Sequence, residues 1–217
     1  MSSVSHIATT VTLWQVGCVV STFLPHELCQ SCIDGQSGSS ACTVIATLVA
    51  RDILHQDLVT GDGHSVVLKQ ALLQQFVKCI RAGNCLYDER GQAFGLLGLY
   101  DVLHLFAEIG LKATPHFDLT IRNRSTATSV IDKVLYQARS KGKVVAGVCV
   151  LHPTSICLMF TPDGRMVVFD SHAHGSAGAL VAVAGAGVSA VVLAEYLAER
   201  HGPLKDTHCM YMLAVQR

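Results

Sequence analysis

The chain has 217 residues, half of them hydrophobic and only 15% charged, with sixteen Lys and Arg balancing sixteen Asp and Glu. That composition excludes intrinsic disorder, which goes with few hydrophobic residues and many charges. It supplies no excess of cations for a phosphate backbone, so no nucleic-acid partner is expected. The length suits a single domain over residues 1–217 that buries a sizeable core, with residues 1–23 as an N-terminal strand extension.

In chain order, Thr9–Val20 is rich in Thr and Val and predicts a strand. Leu24–Ala41 reads as a loop, because Pro25, Asp34-Gly35 and Ser37-Gly38-Ser-Ser40 are turn residues. Ala41–His55 is apolar nearly all round, the pattern of a helix buried inside a domain, and Ser39 or Ser40 can cap its start. Ser65–Ala82 predicts a second helix, with Cys79 and Cys85 flanking its end and a turn. Phe94–Ile109 predicts a third, ended by Gly110, and Ser129–Lys141 a fourth.

The period then shortens. Val144–Leu151, Ser155–Phe160 and Met166–Phe169 read as strands, the last two joined by a Pro162-Asp163-Gly164 turn. Gly175–Ala194 runs for 20 residues without a charge, long enough to raise the question of a membrane helix. Gly178, Gly185 and Gly187 interrupt it, so it reads as a strand, Leu180–Ala184, followed by a helix over Val188–Arg200, and no membrane partner is expected. Cys209–Val215 is a last strand. Helices first and strands later argue for an α+β protein with a mostly antiparallel sheet rather than a βαβ repeat.

Nine cysteines cannot all pair internally, and Met1–His26 holds no Lys or Arg to form the basic region of a signal peptide. Free thiols in a reducing compartment, the cytoplasm, are the expectation. Cys42 stands apart, because Gly35-Gln-Ser-Gly-Ser-Ser-Ala-Cys42 puts it in the first turn of the buried helix. Unpaired N–H groups and the helix dipole there favour negative charge, which suits a thiolate nucleophile and an oxyanion. The bland reading of Cys42 is a packed first-turn residue.

Met166-Val-Val-Phe-Asp170-Ser-His172-Ala-His174 supplies a second constellation. Asp170 and His172, two apart at a strand end, share a face, so the carboxylate can orient an imidazole that takes a thiol proton. His174 continues the row as an alternative base, and Asp170, His172 and His174 could also hold a metal. His152, ahead of Pro153, is a further rival base. Cys29-x-x-Cys32, near Cys18 and His26, has zinc or redox spacing but no second pair, and reads as loop cysteines. No metal and no cofactor are expected.

Gln30, Gly38-Ser-Ser-Ala-Cys42 and Phe169-Asp-Ser-His172 together resemble papain-like cysteine proteases of the Asp-x-His type. Within that group the likeness is to the herpesvirus large-tegument deubiquitinases and their cellular relatives, the viral-tegument-like deubiquitinases. The resemblance spans Leu24 to the carboxyl terminus, though only these short segments carry it. It implies a papain-like fold and a catalytic triad of Cys42 as nucleophile, His172 as base and Asp170 as its orienting carboxylate. It also implies an upstream Gln in the oxyanion hole: Gln30, 12 residues before Cys42, matches the tegument spacing, and Gln36, six before, matches papain. The implied substrate is ubiquitin or a ubiquitin-like modifier, cleaved after its carboxyl terminus. Ser171 stands where many Asp-x-His proteases carry Pro. A catalytically silent module that binds such a modifier, and a papain-fold peptidase or amidase with another substrate, are the alternative expectations.

Overall fold

The computed structural model describes residues 12–16, 18–53, 59–60, 67–90, 104, 107, 118–151, 153–204 and 208–213. Among them are four α-helices: α1 (Cys42–Ile53), α2 (Gln70–Arg90), α3 (Arg124–Lys141) and α4 (Ala190–His201). Ten strands are described: β1 (Thr12–Val16), β2 (Val19–Phe23), β3 (Val59–Thr60), β4 (Val67–Leu68), β5 (Asp118–Ile121), β6 (Val145–Leu151), β7 (Thr154–Phe160), β8 (Met166–Asp170), β9 (Leu180–Ala184) and β10 (His208–Leu213). Eight of them form one sheet in the order β1-β2-β9-β8-β7-β6-β10-β5, antiparallel throughout, and β3 pairs only with β4. The fold class is α+β. No helix among the described residues is long and apolar enough to cross a membrane.

The central strands are apolar at nearly every position because both faces of the sheet are covered. Side chains alternate between the faces, as strand geometry requires. Ala146, Val148, Cys157, Met159, Val167, Phe169, Val181 and Val183 pack with α1 and α2. Their neighbours Val145, Cys149, Ile156, Leu158, Phe160, Val168, Leu180 and Ala182 pack with α3 and α4. Helix α1 lies between α2 and the sheet, and ten of its twelve residues are buried, which accounts for its apolar circumference.

Several elements depart from the sequence expectation. The segment expected as one strand over Thr9–Val20 is an antiparallel hairpin, β1 and β2, with a turn at Cys18. Helix α2 begins at Gln70, after β4, and continues to Arg90, so Cys79 and Cys85 lie inside it rather than at its end. Gly83 does not break this helix. A Cβ there would lie 2.4 Å from Ile45 Cγ1 and 3.1 Å from Ile45 Cα, so glycine is what lets α2 approach α1 closely. Helix α3 starts at Arg124, five residues before the expected start, because Asn123 and Thr126 form a reciprocal capping box. Strand β5 was not expected. The helix expected over Phe94–Ile109 lies outside the described residues except for His104 and Ala107, both helical. Strands β3 and β4 were not expected either, and β4 lies in residues read as the start of the second helix, whereas β6 to β10 and α4 fall within a few residues of expectation.

A second close approach shapes the surroundings of the candidate site. Leu24 N–H donates to Ala179 O, and Gly178 N–H donates to Leu24 O, each at 2.8 Å. A Cβ on Gly178 would sit 2.1 Å from Pro25 O. The chain leaving β2 is thereby held beside the segment that enters β9.

Gly83→Ala sets two effects against each other. Alanine improves helix propensity by roughly 0.5–1 kcal/mol, while overpacking costs about 1–3 kcal/mol. The clash includes backbone of α1, so a net loss of stability in urea denaturation is expected, and Gly83→Leu should lose more. A stabilised Gly83→Ala would contradict the close α1–α2 contact.

Candidate active site

Three segments converge where α1 begins: the loop after β2, the first turn of α1, and the end of β8. Strand β8 ends at Asp170, whose side chain is fully buried. Two residues on, His172 N–H donates to Asp170 Oδ1 at 3.0 Å, an Asx-type turn that stops the strand. The same turn brings His172 Nδ1 to 2.5 Å from Asp170 Oδ1. The expected pairing is therefore made, but by a turn rather than by two residues of one extended strand. With Nδ1–H committed to the carboxylate, the other ring nitrogen is left for the thiol, and the imidazole is near enough to Cys42 for each to shift the other's acidity.

Burial by itself raises the Cys42 thiol, but it is outweighed. The hydrogen bond and charge of His172, the Ser155 backbone and the Thr43 hydroxyl bring it below the ordinary cysteine value. His172 moves the opposite way. Burial lowers it, while Asp170 and Cys42 together push it up to about 10. Asp170 would be raised by its burial, yet His172 and His174 by hydrogen bonding, and His172 and His201 by charge, hold it well below the usual carboxylate range. These shifts describe an imidazolium that acidifies the neighbouring thiol and is itself backed by an ionised carboxylate.

Cys29, Cys79 and Cys157 move the other way. Burial and the Cys32 thiol raise Cys29, burial and Asp52 push Cys79 up to about 12, and burial takes Cys157 well above the ordinary value. No imidazolium offsets their burial. Cys32 Sγ lies 4.0 Å from His26 Nε2, but no cluster of three or more His, Cys, Asp or Glu among the described residues is arranged to hold a metal.

The rival residues are placed elsewhere. His174 Nε2 lies 3.0 Å from Asp170 Oδ2, on the far side of the carboxylate from His172, and its ring stands edge-on to Phe23. His152 lies outside the described residues. Gln36 Nε2 donates to Asp88 Oδ2 at 3.0 Å, away from the thiol. Gln30 is buried between the loop that leads to Cys42 and the residue between Asp170 and His172. Its Nε2 donates to Ser39 O at 3.0 Å, and its Oε1 accepts from Ser171 Oγ at 2.7 Å.

Sequence reading missed three contributors. His201, at the end of α4, brings Nε2 to 3.6 Å from Asp170 Oδ2. Ser155, at the start of β7, bonds Thr43 Oγ1 through its hydroxyl at 2.9 Å and supports the thiol with its backbone. Asn84, inside α2, bonds both Gln30 O and Ser39 Oγ at 2.8 Å. Asn84 has one legible signal, a spacing. Arg81, Asn84 and Asp88 recur at helical intervals on one stripe of α2 and hold Asp34, Gln30 with Ser39, and Gln36 in turn. The Ser39 hydroxyl also accepts from Ala41 N–H at 3.2 Å, a turn ahead of α1 rather than the expected cap, because Ala41 O already accepts the first bond of the helix from Ile45 N–H. In comparisons with known proteins, no family model and no curated protein matches the chain.

Two outcomes are expected here. Alkylation of Cys42 by iodoacetamide, followed by mass spectrometry of its peptide, should remain fast at pH values where an ordinary thiol, near about 8.5, is protonated. In His172→Ala the inflection should move above that ordinary value, because burial persists without the cation; an unmoved inflection would contradict the pairing. Asp170→Asn should lose roughly 3–5 kcal/mol in denaturant titration at pH 7. Asp170 has a depressed pKa when folded. Its contribution is therefore complete above the unfolded value of about 3.9 and is lost as pH falls through the folded value. The gap between wild type and Asp170→Asn should accordingly close in acid.

Proposed function

We propose that the chain is a papain-like cysteine hydrolase of the Asp-x-His type that acts on ubiquitin or a ubiquitin-like modifier. The observation that carries the hydrolase reading is the line of Asp170 carboxylate, His172 imidazole and Cys42 thiol at the start of a buried helix. The modifier as substrate rests on the motif resemblance around Gln30, Cys42 and His172. The cysteines whose side chains are described form no disulfide with one another, which suits the reducing, cytoplasmic setting such an enzyme needs.

In this reading the Cys42 thiolate attacks the carbonyl carbon after the modifier's last glycine. The tetrahedral oxyanion is met by the Cys42 backbone N–H and the Gln30 carboxamide. His172 gives its proton to the departing amine as the carbon–nitrogen bond breaks and a thioester forms. Water then attacks the thioester and passes a proton to His172. The modifier leaves with a free carboxylate, and the thiolate is regenerated. No metal or organic cofactor takes part.

A ubiquitin probe ending in a propargyl amide tests the proposal. One adduct on Cys42 is expected in wild type and none in Cys42→Ala. Turnover of a fluorogenic ubiquitin amide should fall by about 10²–10⁴ in His172→Ala and about 10²–10³ in Gln30→Ala. His174→Ala, His152→Ala and Gln36→Ala should keep most of it. Turnover should decline above pH about 10 as His172 loses its proton. Binding of ubiquitin without adduct or turnover would instead indicate a silent module, and cleavage of short peptides but not ubiquitin conjugates would indicate another substrate class.

A further inference from the structure

Gln30 is held at four points. Its N–H donates to Ser171 O at 2.8 Å, and its carbonyl accepts from Asn84 Nδ2 at 2.8 Å. Its side-chain oxygen accepts from Ser171 Oγ at 2.7 Å, and one side-chain N–H donates to Ser39 O at 3.0 Å. Asn84 then closes a ring, because its Oδ1 accepts from the Ser39 hydroxyl at 2.8 Å. Gln30, Asn84 and Ser171 are each no more than 3% exposed, so water does not substitute for these bonds.

A primary amide has two N–H donors on one side and an acceptor on the other. Ser171 Oγ–H on the oxygen and Ser39 O on the nitrogen together fix which way the Gln30 amide faces. Turning it over would set its oxygen against the Ser39 carbonyl, acceptor against acceptor. In the observed orientation one N–H is committed to Ser39, three residues before Cys42, and the second is left to donate elsewhere. Asn84 fixes the other variable, the position of the Gln30 main chain relative to that same loop. It does so from α2, an element that contributes nothing else to the candidate chemistry.

We propose that Asn84 and Ser171 are positioning residues: they fix the place and the facing of the Gln30 carboxamide so that its second N–H meets the oxyanion formed at Cys42. The inference rests on the hydrolase reading above. It predicts a separation that simple structural support would not produce. Gln30 acts on the oxyanion and not on the resting thiolate. Loss of its positioning should therefore lower kcat and leave the acidity of Cys42 alone.

The test uses the full chain and a ubiquitin C-terminal fluorogenic amide. Ser171→Ala and Asn84→Ala should each lower kcat by roughly 10–100-fold with KM little changed. The pH profile of Cys42 alkylation should match wild type, which also reports that the site is folded. Ser171→Thr, which keeps the hydroxyl, should restore most of the rate. In Gln30→Ala, adding Ser171→Ala should cost nothing further, because both act through one amide. Undiminished kcat in Ser171→Ala, or losses that multiply with Gln30→Ala, would overturn the assignment while leaving the hydrolase reading intact. If Asn84→Ala fails to fold, Ser171→Ala and its double variant with Gln30→Ala still decide the matter. A wild-type chain inert toward the amide would instead remove the hydrolase reading, and this inference with it.

Discussion

A carboxylate with no exposed surface sits at the end of β8, and the layout of the candidate site follows from how its charge is met. An isolated buried carboxylate is costly enough that it must be paired or neutralised. Asp170 is met from several directions, by the backbone and ring of His172 on one oxygen and by His174 and His201 about the other. The contact with His172 is also the turn that ends the strand. Satisfying the charge and shaping the chain are thus one event. That turn places Ser171 against Gln30 and aims the imidazole at Cys42. The carboxylate makes the imidazolium tolerable, and the imidazolium makes the thiolate tolerable.

The contrast among the cysteines turns on partners rather than on burial. Cys42 and Cys79 are both almost inaccessible, yet their acidities diverge. Cys79 faces the carboxylate of Asp52, which opposes ionisation. Cys42 faces an imidazole that the Asp170 carboxylate holds protonated. Burial strengthens whichever neighbour is present, because both interactions act in a low dielectric. A polar loop carried by one stripe of α2 leads into Cys42. Arg81, Asn84 and Asp88 give that loop its path, and Gly83, on the same helix, lets α2 seat against α1.

Much of the fold was legible because local pattern and tertiary role coincide. Buried strands such as Met166–Phe169 and Leu180–Ala184 announce themselves as short apolar runs, and the circumference of α1 announces burial on all sides. The misreadings have separate causes. Gly83 looks like a helix end in sequence, since glycine usually serves a turn, but here its missing side chain serves contact with Ile45. The early start of α3 depends on Asn123 and Thr126 satisfying each other, a reciprocity that apolar periodicity does not register. The β1–β2 hairpin lay hidden in one Thr- and Val-rich run whose sequence has Gly17 as its single turn residue.

Within the candidate site, the sequence by itself determined the chemistry on offer: a cysteine at a helix start, an Asp-Ser-His at a strand end, and two glutamines upstream. Those are properties of residue type and short spacing, which survive without coordinates. Only the tertiary structure decided between the alternatives. It turned Gln36 outward to Asp88 and Gln30 inward to Ser39 and Ser171, and it set His174 on the far oxygen of Asp170 rather than on the thiol. Each of these choices depends on a partner that is distant in the chain or on the path of a turn. Asn84 lies 54 residues from Gln30 and Ser171 lies 141 residues from it. Hydrogen bonds are short and directional, so which donor meets which acceptor becomes defined only once packing has brought them within about 3 Å.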